Sequence, residues 1–220
     1  MLKTFTTSES LLEVLNKLMV LESLSDFRLV GGTALSLLLG HRISEDIDLF
    51  TDKEYGSIPF NKIEREIKAS FPVVINPDDA IPGMRALGNN FGLHLFIGEN
   101  NDSLIKVDIL NWGDNFIFPI VRADNIRLAA IEEIAAMKLD VISRGGRKKD
   151  FWDLSEIFET RSLESLLPVY ERKYPYNDIK AVVSGLVDFK IADNMPDPIC
   201  FKGKHWEVIQ QEMIAEVRKL

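Results

Sequence analysis

The residues best suited to chemistry are the carboxylates of Glu45-Asp46-Ile47-Asp48-Leu49-Phe50. In an extended strand, side chains two apart point the same way, so Asp46 and Asp48 share a face while Ile47 enters the core. Like charges side by side cost stability unless a cation compensates them, and an all-oxygen acidic site suits Mg2+. An isolated Asp-x-Asp is more often just the acidic outer face of a surface strand, so its meaning depends on what surrounds it. Upstream, Gly31-Gly32-Thr33 lies between a strand-like and a helix-like stretch. Small residues there let backbone N–H groups approach a phosphate, and the helix N-terminus adds a positive field. Any sharp strand-to-helix turn can use such residues. Beside the carboxylate pair, however, the turn suggests one lobe for a triphosphate and another for its metal.

A third carboxylate stands in Ile105-Lys-Val-Asp108-Ile-Leu110, flanked by apolar residues that put it within a sheet. Three carboxylates on neighbouring strands can hold two divalent ions about 3.5–4 Å apart, and Asp108 would be placed to accept a nucleophile's proton. The alternative for Asp108 is a simple ion pair with Lys106 or Arg42. Further on, Ile131, Ile134, Lys138 and Val141 fall on one helical face, so a lysine interrupts an apolar stripe. Lys138 either snorkels to water or reaches a phosphate or carboxylate in a cleft. Asp150 could be its partner, with Asp153 on nearly the same helical face, or Asp150 could be a helix cap. Between them, Arg144-Gly-Gly-Arg147-Lys148-Lys149 concentrates four cations. Such a run can meet phosphates, or simply complement a helix C-terminus.

The elements that must position these groups follow from periodicity. Apolar spacing predicts helices over Ser8–Ser23, Thr33–Leu39 and Ile58–Ser70, and short strands at Phe27–Val30 and Asp46–Phe50. A period of two then predicts strands at Phe71–Ile75, Met84–Leu87, Phe91–Ile97 and Ser103–Leu110, separated by Asn-, Asp- and Gly-rich turns. After Pro119 the strand signals fade, and helices are expected at Ile131–Ser143, Asp150–Glu159, Leu163–Lys173, Asp178–Lys190 and Trp206–Leu220. The fold class is therefore α+β, a mixed β-sheet flanked by helices and followed by an α-helical domain. The division is expected near residue 120, giving a catalytic domain over 1–120 and a helical domain over 121–220 that completes the cleft.

Composition excludes several functions. The chain has 220 residues, 46% hydrophobic and 27% charged, enough to bury a core. The charge-free run Leu29–Gly40 spans 12 residues, against roughly 20 apolar residues needed to cross a bilayer, so no membrane partner is expected. The N-terminus lacks a basic region followed by a continuous apolar run, and a single cysteine, Cys200, permits no internal disulfide, so a cytoplasmic location is expected. Net charge is −8, concentrated in residues 1–120, which carry 10 Lys+Arg against 17 Asp+Glu. That balance disfavours coating of nucleic acid, and no sequence-specific DNA binding is expected. His41, His94 and His205 are scattered and read as structural or surface residues, and Trp112, Trp152 and Trp206 as packing.

Taken together, these segments resemble the AbiEii/AbiGii-type toxin family of the DNA polymerase beta-like nucleotidyltransferase superfamily, over about residues 25–160. The resemblance rests on Val30-Gly-Gly-Thr-Ala-Leu, His-Arg-Ile-Ser-Glu-Asp46-Ile-Asp48-Leu-Phe, Lys106-Val-Asp108-Ile-Leu, Ile134-Ala-Ala-Met-Lys138-Leu, Arg144 and Lys149-Asp150-Phe-Trp-Asp153-Leu. It implies Mg2+-dependent transfer of a nucleoside monophosphate from a nucleoside triphosphate and, for many members, toxicity neutralised by an antitoxin encoded nearby. Asp46 and Asp48 match the metal-binding pair and Asp108 the third carboxylate, while Lys138 and Asp150 match later catalytic motifs. Gly31, Gly32 and Thr33 match the phosphate turn, with Arg42 and Ser44 shaping the nucleotide site and Lys138 neutralising the triphosphate. The acceptor would be tRNA or protein, met by Arg144, Arg147, Lys148 and Lys149. Two other readings stay open: transfer to a small molecule of aminoglycoside type, and a non-catalytic module binding a nucleotide or partner.

Overall fold

The computed structural model describes residues 1–81 and 92–220. Within them, strands β1 (Arg28–Leu29), β2 (Asp46–Phe50), β3 (Val73–Ile75), β4 (Gly92–Gly98), β5 (Ile105–Leu110), β6 (Val121–Ala123) and β7 (Ile126–Leu128) form one sheet in the order β3-β4-β5-β2-β1-β7-β6. β2 runs parallel to β5 and β1 parallel to β7, while the remaining pairs are antiparallel, so the sheet is mixed. The segment expected as a strand over Met84–Leu87, and Phe91, lie outside the described residues.

Strands expected to end before Pro119 continue to Leu128. Each of β6 and β7 has only three residues, too few to show a period, and β7 is held by parallel pairing of Leu128 with the distant Leu29. Such a pairing is set by tertiary contact, not local pattern. The last strand therefore ends eight residues beyond the expected change of class.

Helix α1 (Glu9–Val20) is capped by Ser8 and buries Leu11, Val14, Leu15, Leu18 and Met19, which fall on one face at helical spacing. Helix α2 (Gly31–Leu39) starts two residues earlier than expected, and α3 (Phe60–Ser70) follows β2. The second half is helical: α4 (Ile131–Ser143), α5 (Lys148–Phe158), α6 (Leu163–Lys173), α7 (Ile179–Gly185) and α8 (Trp206–Val217). α7 stops short of the expected Lys190, where Gly185 lies against the Ile142 carbonyl. α4 packs against α2, α5, α6 and α7, and α5 against α8, so α2 and α4 join the sheet to the helical half. Trp152 and Trp206 stack within that half at 5.7 Å, as packing residues.

Candidate functional site

Strand register builds the first part of the site. Asp48 on β2 lies opposite Asp108 on β5, and Asp46 lies opposite Lys106. Because Ile47 and Leu49 fill the core, the intervening carboxylates face outward on the same side as Asp108. On the other flank of β5, His94 of β4 is in register with Asp108 and Phe96 with Lys106. Two rows thus cross three strands: His94, Asp108, Asp48, and beside it Phe96, Lys106, Asp46.

The charges in these rows are unevenly balanced. His94 Nδ1 is 2.8 Å from Asp108 Oδ1, and Lys106 Nζ bonds the other Asp108 oxygen. The ion pair with Lys106, one of the open alternatives for Asp108, is therefore formed. Among the described residues, the Asp46 carboxylate pairs with Lys149 of α5 alone, at 3.5 Å. Asp48 fares worst: burial, then Asp108 and Asp46, push its carboxyl up to about 6.

The glycine turn closes over this group. Gly31 opens α2 with φ of +69°, a left-handed conformation that favours glycine, and a Cβ there would lie 2.6 Å from Asp48 Oδ2. At Gly32 a Cβ would lie 2.3 Å from Arg42 Nη2. Both glycines therefore let the helix N-terminus sit against charged side chains. Thr33 is turned away from the cavity: its buried hydroxyl bonds Ser44 Oγ at 2.8 Å and the Asp46 carbonyl, tying the turn to β2. Its side chain shapes the turn instead of meeting a phosphate, while Ser44, Gly31, Gly32 and Arg42 line the cavity.

Behind the turn lies a buried ion network that sequence reasoning only partly reached. Asp153 accepts from Arg42 Nε at 2.7 Å and Arg42 Nη2 at 2.9 Å, lies 2.8 Å from His41 Nε2, and pairs with Lys138 Nζ at 2.7 Å. Lys138 also meets Asp150 Oδ1 at 2.5 Å. Asp150 Oδ2 accepts from the Arg147 backbone N–H at 3.0 Å, so it is both the partner of Lys138 and a brace for the first turn of α5. Burial works to raise the Asp153 carboxyl, but Arg42, Lys138 and His41 outweigh it and hold it well below the usual carboxylate range. Burial likewise works to lower Lys138, but Asp153 and Asp150 hold it above its ordinary value. His41 has the structural role its sequence context suggested. The central part played by Asp153 was not visible, because Arg42 and Asp153 lie far apart along the chain.

Several of these groups border one cavity of about 1000 Å3. Asp46, Asp48, Asp108, Lys106, Lys138 and Asp150 lie along it, as do Arg144, Arg147 and Lys149. Lys148 departs from its expected role: it is buried, pairs with Asp197 at 2.9 Å and lies over the Trp206 ring, away from the cavity. Its ammonium is committed to packing α5 and cannot meet an acceptor there. Trp112, expected as a packing residue, is 54% exposed and lines the cavity wall.

Among the described residues, no three acidic, histidine or cysteine side chains are gathered tightly enough to hold a metal as they stand. The donor chemistry nevertheless fits a hard divalent cation: the facing donors are carboxylate oxygens, and the Asp48 carboxyl is raised by burial first and then by its neighbours Asp108 and Asp46. Lys106 and Lys149 are the cations that such an ion would have to replace on Asp108 and Asp46.

The mixed sheet carries paired carboxylates on one strand and a third on its parallel neighbour, under a glycine-led helix N-terminus, and the family its sequence matches is one of nucleotidyltransferases. The chain belongs to the nucleotidyl transferase AbiEii toxin family of type IV toxin–antitoxin systems, whose model matches residues 13–218 and so takes in the helical half. A protein of Aquifex aeolicus with no assigned function is 30% identical over 216 residues, 94% of each chain. JHP933 from Helicobacter pylori shares the fold with a TM-score of 0.56 at 18% identity, over 95% of this chain and 88% of that one. MenT4, a nucleotidyltransferase toxin of Mycobacterium tuberculosis, does so with a TM-score of 0.53 at 17% identity, over 93% and 82%. Among the described residues, no helix is long and apolar enough to cross a membrane.

Proposed function

We propose that this nucleotidyltransferase moves a nucleoside monophosphate from a nucleoside triphosphate to an acceptor hydroxyl with the help of Mg2+, and acts as the toxin of a toxin–antitoxin pair. The observation that carries the reading is the register aligning Asp48 with Asp108, beside Asp46 and under Gly31–Gly32. Asp46, Asp48 and Asp108 would hold Mg2+, which supplies polarisation of the attacking oxygen and neutralisation of the leaving pyrophosphate. Backbone N–H groups at Gly31 and Gly32 would bind phosphate oxygens, with Arg42 and Lys138 adding positive charge beside them. The acceptor oxygen attacks the α-phosphorus, the bond to the bridging oxygen breaks, and pyrophosphate leaves. The hydroxyl proton passes to the Asp108 carboxylate. Much of the rate enhancement would come from holding nucleophile and phosphorus in line within the cavity.

Arg144, Arg147 and Lys149 supply positive charge along the same cavity, which suits a phosphate-bearing acceptor such as tRNA; a protein acceptor fits the chemistry equally. Family membership supports a cognate antitoxin as partner. The test is Asp48→Asn. The variant should remain folded and lose transfer by at least about 10²–10³-fold, the scale of removing one transition-state contact. Full activity in a folded Asp48→Asn protein would refute the assignment. Labelled nucleotide incubated with cell extract then identifies the acceptor: label on tRNA or protein supports the toxin reading, and label confined to small aminoglycosides overturns it.

A further inference from the structure

His94 takes no part in the chemistry described so far, yet its position is unusually specific. Leu93, Leu95 and Ile97 of β4 are buried in the core, so His94 and Phe96 face the carboxylate side. In the row across the three strands, Asp108 stands between the imidazole of His94 and the carboxylate of Asp48. The ring is 47% exposed and could turn to water, but Nδ1 lies 2.8 Å from Asp108 Oδ1. An ionised carboxylate only accepts, so Nδ1 carries the hydrogen of this bond, whether the ring holds one proton or two.

We propose that His94 is a positioning residue for nucleotidyl transfer: its Nδ1–H fixes the plane of the Asp108 carboxylate. The inference rests on the assignment of Asp108 to the transfer site. A carboxylate rotates broadly about its terminal torsion, and Asp48 repels it from one side, so Asp108 needs a partner to hold its orientation. Lys106, the other partner, is a point charge on a flexible stem and does not fix a plane. A planar ring in register on the neighbouring strand does. Hydrogen-bond partners of ligating carboxylates commonly matter in this way, and their loss costs about 10–100-fold in metal affinity or activity.

The experiment compares wild type, His94→Ala, His94→Asn and Asp108→Asn as full chains. Transfer is measured across Mg2+ and nucleotide titrations, and Mn2+ binding is followed by calorimetry without nucleotide. His94→Ala should lower kcat and weaken Mn2+ binding by about 10–100-fold, with KM for the nucleotide changed less than about threefold and the melting temperature unmoved. His94→Asn, whose amide N–H replaces Nδ1–H, should recover most of both. Normal kcat and Mn2+ affinity in His94→Ala beside an inactive Asp108→Asn would overturn the role of His94 alone. So would an Asn variant no better than Ala. An active Asp108→Asn would overturn the site assignment itself, and the role of His94 with it.

Discussion

On the sheet, Asp46, Asp48 and Asp108 stand beside one another with too little positive charge among them, and the Asp48 carboxyl is raised to about 6. Where α4 and α5 meet, Asp150 and Asp153 are fully buried, yet Lys138, Arg42, His41 and Arg147 satisfy them, and both carboxyls are lowered. Burial alone therefore does not decide the fate of a charge; its partners do. The satisfied network holds the parts of the molecule together, whereas the unsatisfied one suits a ligand of opposite charge. Replacing a carboxylate should consequently cost stability in one region and activity in the other.

The largest expected effect on stability is at Asp153. Asp153→Ala removes the carboxylate that Arg42, Lys138 and His41 share in a buried site, leaving Lys138 with Asp150 alone, and breaking such a pair costs about 3–5 kcal/mol. For a chain of this size that is roughly a 10 °C fall in melting temperature. Denaturant unfolding measures it, and a loss below about 1 kcal/mol would break the comparison. The pH dependence follows from the depressed carboxyl. Because the folded-state value lies well below the unfolded one, the contribution is fully present above the ordinary carboxylate range. It is lost only as pH falls through the lower folded value, and Asp153→Ala should lack this acid limb.

A smaller effect is expected at the junction of the two regions. Gly32→Ala places a methyl 2.3 Å from Arg42 Nη2, so the guanidinium must shift against Asp153. Overpacking of this kind costs about 1–3 kcal/mol. The variant should also raise KM for the nucleotide, because the helix N-terminus and Arg42 are displaced together. Unchanged stability and unchanged KM would show that the two regions are not coupled through this contact.

The two regions also differ in how far they could be read from the sequence. Asp46 and Asp48 declare a shared face by their spacing alone, and the turn at Gly31–Gly32 is marked by residue type. The outlines of α1, α4 and α6 were legible in their apolar stripes. What could not be read depends on which strand lies beside which. The pairing of His94 with Asp108 requires the register of β4 on β5, and the bonds of Arg42 to Asp153 require the segment that follows α2 to lie against α5. Lys148 was misread for a related reason: within a run of four cations, only the packing of α5 against Trp206 singles out the one turned inward.

The smallest predicted effect is the most diagnostic, because its sign is opposite to that at Asp153. The folded-state carboxyl of Asp48 is raised, so between about pH 4 and 6 the folded chain binds more protons than the unfolded one, and its stability falls as pH rises. In chelator-treated protein at pH 7, ionised Asp48 therefore costs stability, and Asp48→Asn removes that cost. A shift of this size, discounted for solvent screening, corresponds to roughly 1 kcal/mol gained at pH 7 and close to none at pH 4, where the wild-type carboxyl is already protonated. Unfolding of both proteins at the two pH values, in chelator, measures the difference. If Asp48→Asn is destabilised at pH 7, Asp48 is satisfied as Asp153 is, and the contrast between the regions fails. If it is stabilised at pH 7 while transfer is lost, the charge that weakens the fold is the charge that serves the reaction.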